Sequence, residues 1–432
     1  MEIVFLAFSI FLQLFLIHLE LSMEKIVITG MGTVNPTGLS LTESWDNIIN
    51  GRSGIGPITH FDTSEWNVKI AGELKNFDPG QYMDAKEARR RDRYEQLAVA
   101  AANQAIAQSG IDFNQINPSR AGVIVSSAIG GMSSLQDGII TMRESGARKV
   151  SPFLIPMLMP NGASGLIAID HGIHGPCFSV ASACATGADA IGTAYHLLRA
   201  GVADVIVAGA AEFTICEIGV AAFDRIGAMS RRNGSPIQTP SPFDKDRDGL
   251  VMGEGAGVVV LERESFAKAR RAEIFAEMAG YSSSADAYHV TAPDAEGKGG
   301  AQAIVNAVQA AGVNLEDVQY VNAHGTGTPL NDAAETQALK RAFGQHAYKL
   351  GISSTKSMTG HMMGATAALE VLFCVNAIRD GVMPPTINYN TPDADCDLDY
   401  IPNQARQAKV DVAITNAFGF GGHNAVLAIK RY

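Results

Sequence analysis

The chain is short of the charge that nucleic-acid binding needs. It has 33 lysines and arginines against 44 aspartates and glutamates, a net charge of −11. Affinity for nucleic acid rests on neutralising phosphates, so general binding of that kind is excluded. Cysteine is scarce too: the five are Cys177, Cys184, Cys216, Cys374 and Cys396, and no C-x-x-C pair occurs. An odd, scattered set excludes a disulfide framework and a thiolate zinc cluster, and points to a reduced, intracellular protein. No low-complexity linker divides the chain. What is abundant is apolar: 47% hydrophobic residues beside 18% charged ones, with 44 glycines. That composition is globular, and 432 residues hold two domains or one large duplicated one.

Residues 1–22 stand apart. Ile3 to Leu19 is a nearly unbroken apolar run, barely long enough for a bilayer. A signal peptide wants a basic start and a small-residue cleavage site, and neither is there. Met23 then opens MEKIVITGMG, a clean first strand. The run is read as a dispensable leader or mis-set start, with a membrane anchor and a signal peptide as the alternatives. After Met23 the chain reads as cytoplasmic in the first two of these cases.

From there β-branched runs alternate with amphipathic helical stretches, which gives an α/β class. Strands are expected at 25–30, 121–127, 178–182, 204–210, 257–262, 274–282, 318–325, 349–354, 411–419 and 424–430. Helices are expected near 96 and 301, over 186–200, and after 365. The 186–200 helix carries Ala188, Ile191, Tyr195 and Leu198 on one stripe and stops at Gly201. Two halves, 23–275 and 276–432, each contain a strand that ends in a reactive residue before a helix, a hint of duplication. The turn-rich stretch 234–249 reads as a surface excursion. ITGMGTVNPTG (28–38) opens like a dinucleotide fingerprint, but Asn35 and Pro36 stand where a glycine and a helix start are required.

Cys184 lies in SACATG (182–187), between an apolar run and a helix. A helix N-terminus favours a thiolate, so its pKa is expected below the ordinary value of about 8.5. His324 lies in AHGTGT (323–328); Lys356 and His361 lie in STKSMTGH (354–361). Each reactive side chain follows a strand, and sites in α/β sheets gather at the carboxyl ends of strands. One thiol with two imidazoles suits stabilisation of an oxyanion or enolate better than the single-histidine arrangement of a cysteine protease. A zinc site is conceivable but disfavoured, because the three come from separate strand ends without metal-ligand spacing.

These motifs, with NAFGFGGHNA (416–425) and SPFDKDRDGLVMGEGAG (241–257), resemble the β-ketoacyl-acyl-carrier-protein synthases, nearest the elongating type II enzymes. The likeness spans 23–432. It implies a thiolase-like fold, two duplicated α/β halves in a five-layer αβαβα sandwich, assembled as a homodimer. It implies a decarboxylative condensation of an acyl thioester with malonyl on acyl carrier protein, extending a fatty acid by two carbons without cofactor or metal. Carried over by motif, Cys184 resembles the acyl-accepting nucleophile, and His324 and His361 the pair that promotes decarboxylation and holds the enolate. Lys356 and Glu370 resemble residues that organise the histidines. The N–H groups of Cys184 and Phe420 would form the oxyanion hole. Thr326 and Thr328 resemble the hydroxyls that bind the carrier's pantetheine, and Phe420 a gate over an acyl pocket lined by Ile129 and Phe223.

His423 departs from the family's usual threonine and is read as a bystander. Asp-Lys-Asp-Arg-Asp (244–248) is read as a salt-linked turn before a metal loop. KEARRRDR (86–93), with Arg231 and Arg232, is the expected basic patch for an acidic carrier. The alternatives are a polyketide or other specialised ketosynthase, a thiolase, and a non-catalytic chain-length partner, the last disfavoured by Cys184.

Overall fold

The computed structural model describes residues 24–432. The apolar run at 3–19 therefore lies outside the described residues, and among those described no helix is long and apolar enough to cross a membrane. The first half contributes strands β1 (Ile26–Val34), β2 (Ala121–Ser126), β3 (Val205–Glu212) and β4 (Gly255–Arg263). Its main helices are α1 (Arg93–Ser109), α2 (Gly162–His171) and α3 (Thr186–Arg199). The second half contributes β5 (Ala276–Ala285), β6 (Tyr320–Asn322), β7 (Gly351–Ser353), β8 (Val412–Gly419) and β9 (His423–Lys430). Its main helices are α4 (Lys298–Ala310), α5 (Pro329–Phe343) and α6 (Thr366–Asp380).

The strands run in the order β2-β3-β4-β1-β5-β9-β8-β6-β7. The halves meet at β1 and β5, which pair only over Ile26–Ile28 with Met278–Ala276. Outward from that seam each half repeats one order: its first strand, its last, its penultimate, then its second. The duplication that sequence could only hint at is thus explicit in the topology. α1 and α2 cover the outer face of the first half, and α4 and α5 that of the second. α3 and α6 pack between the halves and touch strands of both. Five layers result.

Composition explains the middle layer. Every residue of α6 from Thr366 to Ile378 is buried, the pattern of a helix enclosed on all sides. Close packing there depends on glycine: a Cβ at Gly257 of β4 would lie 2.4 Å from Leu369 N, and one at Gly187 of α3 2.8 Å from Gly364 O. The fingerprint-like glycines serve packing also, since a Cβ at Gly32 would lie 2.0 Å from Ala101 O of α1.

Two sequence expectations change. FSVAS (178–182) is not a strand; the residue before it, Cys177, bridges to Val123. Serine hydroxyls displace the ladder there: Ser126 Oγ accepts from Val180 N at 3.2 Å, and Ser164 Oγ donates to Phe178 O at 2.9 Å. The stretch 234–249 is only partly a surface excursion. Phe243 is fully buried and stacks on Tyr400 of the second half at 4.0 Å. Asp244 accepts from the N–H groups of Asp246, Asn390 and Thr391, and Arg247 pairs with Asp393 at 2.5 Å, so 244–248 is a salt-linked turn.

Candidate active site

Cys184 sits in a 3-10 turn, Ala183–Ala185, directly before α3. His361 is followed by the matching turn, Met363–Ala365, directly before α6. The residue that opens each turn has positive φ, 51° at Ala183 and 42° at Met363. The two halves thus present the same turn-helix device from opposite sides. They bring Cys184 Sγ and His361 Nε2 to 3.1 Å, both buried.

Each side chain is anchored. His361 N donates to Val251 O at 2.7 Å, and Gly253 N donates to His361 O at 2.8 Å, which fixes the backbone on both sides. Its Nδ1 lies 3.0 Å from Thr366 Oγ1. His324 follows β6, and its ring meets that of His361 edge to face at 5.3 Å between centroids. Lys356 and Glu370, each about 1% exposed, pair at 2.6 Å, and Lys356 Nζ also reaches Ala323 O at 3.4 Å, beside His324. Sequence reasoning missed Glu335, whose carboxylate accepts from His324 N at 2.8 Å and Gly325 N at 2.7 Å and so holds the histidine loop. The signal was present: Asp332 and Glu335 are one turn apart at the start of α5, both buried. It also missed Thr366 and the buried Glu212, which accepts from Ser127 Oγ, Ala128 N and Gly364 N.

The electrostatics correct the expectation for the nucleophile. Burial pushes the Cys184 thiol up to about 11 rather than below 8.5. The Phe420 N–H, the Lys356 ammonium and the Cys184 N–H pull the other way without winning. A short helix-end dipole acts over one turn, whereas desolvation here is complete. Burial, aided by Lys356, lowers His361 to about 3 and holds His324 well below the usual histidine range. Both imidazoles are therefore neutral, and the resting pair is thiol with imidazole rather than thiolate with imidazolium. Burial raises Glu370 to about 7 against the pull of Lys356.

A cavity of about 320 Å³ opens onto this cluster, lined by Cys184, His324, His361, Thr326, Thr328, Phe223 and Phe420 among others. The Phe223 and Phe420 rings lie 6.5 Å apart, nearly parallel, across it. Thr326 and Thr328 hydroxyls bond each other at 2.9 Å. Ile129 is not among the lining residues; it is half-buried in the loop after β2, its N–H bonded to Ser127 Oγ. His423 is exposed and outside the lining. The basic patch also changes. Arg91 turns inward to a bidentate pair with Asp170, and Arg93 is tied to the buried Glu254. Arg231 and Arg232 are paired with Asp224 and Asp248. Finally, one ligand atom from each of Cys184, His324 and His361 lies within 4.8 Å of the others, so their separation in sequence is no obstacle to shared coordination.

Known proteins match over nearly the whole chain. The model for the beta-ketoacyl synthase N-terminal domain matches residues 23–267, and that for the C-terminal domain residues 275–390. A protein of Synechocystis sp. named 3-oxoacyl-[acyl-carrier-protein] synthase 2 is 46% identical over 96% of this chain and 99% of its own. One of the same name from Coxiella burnetii is 45% identical over 94% and 99%. Among solved structures, a beta-ketoacyl synthase from Burkholderia phymatum superposes with a TM-score of 0.88 at 35% identity, over 95% of this chain and 100% of that one. A type II polyketide ketosynthase solved in complex with its acyl-carrier protein gives a TM-score of 0.88 at 32% identity, over 95% and 99%.

A thiol held at about 11 has a distinctive pH signature. The rate of Cys184 alkylation by iodoacetamide in the resting protein is expected to rise about tenfold per pH unit through pH 9 and 10, as the thiolate fraction does. A plateau by pH 7, read by mass spectrometry of the labelled peptide, contradicts the neutral resting pair.

Proposed function

The chain belongs to the beta-ketoacyl synthase family, and we propose that Cys184, His324 and His361 carry out in it the elongating condensation of 3-oxoacyl-[acyl-carrier-protein] synthases. The observation that carries the reading is a buried thiol 3.1 Å from one neutral imidazole, with a second imidazole against the first, at a cavity.

In the first half-reaction the Cys184 sulfur attacks the acyl thioester carbonyl. Its proton moves to His361 Nε2, so no free thiolate accumulates, and returns to the departing carrier thiol. The oxyanion faces the N–H groups of Cys184 and Phe420, both of which point at the sulfur. In the second, the malonyl carboxylate leaves as CO2, and its bonding pair becomes the enolate. Neutral imidazoles stabilise that enolate oxygen by donating N–H, where imidazolium would protonate the carbanion. The carbanion attacks the acyl carbon and expels the Cys184 sulfur as thiolate, which takes a proton from solvent to restore the resting thiol, and the 3-oxoacyl product forms on the carrier. The enolate holds the electrons itself, so the step requires no electron-sink cofactor.

For His361 to accept at Nε2 in one half-reaction and donate from it in the next, Nδ1 must release its proton and later recover it. Thr366 Oγ1, 3.0 Å away, both donates and accepts and supports that exchange. Lys356 and Glu370 hold the cluster's charge balance, Thr326 and Thr328 take the pantetheine, and Phe420 facing Phe223 gates the acyl chain. Ile129, outside the cavity lining, is a contact for a longer acyl chain. A polyketide ketosynthase is the second reading, favoured by structural neighbours such as the ishigamide ketosynthase/chain length factor at 35% identity. The higher identity to fatty-acid synthases favours the first. Five free cysteines suit cytoplasmic work, and the repeated strand order of the two halves supports the division at 23–275 and 276–432.

Acyl carrier protein is the partner, and unpaired cations suggest its dock. Arg89, Arg148 and Lys149 are exposed and carry no ion pair among the described residues. Arg90 lies 4.7 Å over the Phe153 ring, which brings the two basic segments together. We also propose a homodimer, the assembly that the family resemblance implies.

Tests follow each part. Cys184→Ala should take up no acyl group. His324→Ala and His361→Ala should lose malonyl decarboxylation by on the order of 10²–10³. His324→Ala should still load acyl groups at Cys184; loss of loading but not decarboxylation would falsify the assignment. Reversal of Arg89, Arg148 and Lys149 to glutamate should raise KM for carrier-bound substrate and weaken its salt dependence, whereas unchanged kinetics at low salt moves the dock. Sedimentation should give the mass of two chains; a monomer removes the dimer.

A further inference from the structure

The cluster that serves acyl transfer also has the makings of a metal site. Cys184, His324 and His361 are all buried, and one ligand atom of each lies within 4.8 Å of the others. In a tetrahedral zinc site with Zn–S of about 2.3 Å and Zn–N of about 2.0–2.1 Å, sulfur and nitrogen ligands stand about 3.6 Å apart. Sγ and Nε2 of Cys184 and His361 are 3.1 Å apart, so that edge needs only about half an ångström of adjustment. The orienting contact is in place as well: His361 Nδ1 is 3.0 Å from Thr366 Oγ1, the kind of bond that fixes a ligating imidazole with its other nitrogen free. The cavity opens onto the three side chains and supplies an entry path. Against binding stands Lys356, whose ammonium acts on both histidines, though Glu370 at 2.6 Å offsets its charge.

We propose that Cys184, His324 and His361 bind a soft divalent cation, zinc, in competition with acylation of Cys184. The sulfur loses its proton to solvent and gives a lone pair to the metal, the two imidazoles give theirs, and nothing is oxidised or reduced. The metal and the acyl group claim the same sulfur, so free zinc holds the empty enzyme idle and a loaded enzyme is immune. The competition, though not the binding, rests on Cys184 being the acyl acceptor.

The test uses the full chain and cobalt(II) as a spectroscopic substitute for zinc. One equivalent should bind and release one proton. It should give a sulfur-to-cobalt charge-transfer band with the strong visible bands of four-coordination, all reversed by zinc and by chelator. His324→Ala should weaken binding at least about tenfold. Wild-type protein alkylated at Cys184 should show no band, which keeps the test independent of how the variants fold. A band that survives alkylation, binding unchanged in Cys184→Ala, or no charge-transfer band at all overturns the proposal. Acyl loading is read separately by protein mass: failure to load refutes the synthase reading while the cobalt spectrum still reports on the metal site.

Discussion

The contact between Cys184 and His361 spans the join between two halves, and everything at the site depends on how closely those halves approach. The thiol belongs to one turn-helix device and the imidazole to its counterpart. They meet at 3.1 Å only because α3 and α6 lie together in the middle layer. Glycines make that approach possible. At Gly187 and Gly257 even one methyl group would collide with the opposing backbone. The site is thus a consequence of the fold's internal symmetry, with the chemistry divided between the two halves.

Burial follows from that placement and sets the chemistry. In water a histidine pair would titrate near neutrality and a cysteine somewhat above it. Between the sheets desolvation holds both imidazoles neutral and the thiol protonated. A site for an enolate requires donors that do not protonate it, and neutral imidazoles meet that requirement. Lys356 and Glu370, paired at 2.6 Å, bring charge into this layer, and burial pushes the carboxyl up to about 7. Such a pair is weak evidence for stability, and its position beside both histidines is better explained by their electrostatics. A neutral imidazole offers an N–H to an oxyanion from one nitrogen and a lone pair to a metal from the other, so the same neutrality suits both.

Much of this was legible beforehand. The class, most strands and the helices at 186–199 and 366–380 follow from periodicity and turn glycines, and the cluster's residues from those glycines together with the family resemblance. Where the reading failed, a tertiary partner intervened. The stretch at 178–182 has strand composition, but hydroxyls of Ser126 and Ser164 take its backbone bonds. Phe243 lies in turn-rich sequence, yet the ring of Tyr400, far along the chain, buries it. Arg91 looks like solvent-facing charge until Asp170 is found beside it.

By itself the sequence determined which residues carry reactive atoms and that helices open shortly after Cys184 and His361, because turn glycines and helix starts are local properties. It did not determine protonation, since a pKa depends on solvent access and on charges distant in the chain. The helix-end argument for Cys184 was sound in kind and wrong in outcome: a dipole of one turn was weighed without the desolvation that only a packed middle layer imposes. Nor could it place Glu335 under His324 or set three ligand atoms within 4.8 Å. Those distances are decided where the two halves of the sheet and two helices close on each other, and no spacing along the chain encodes them.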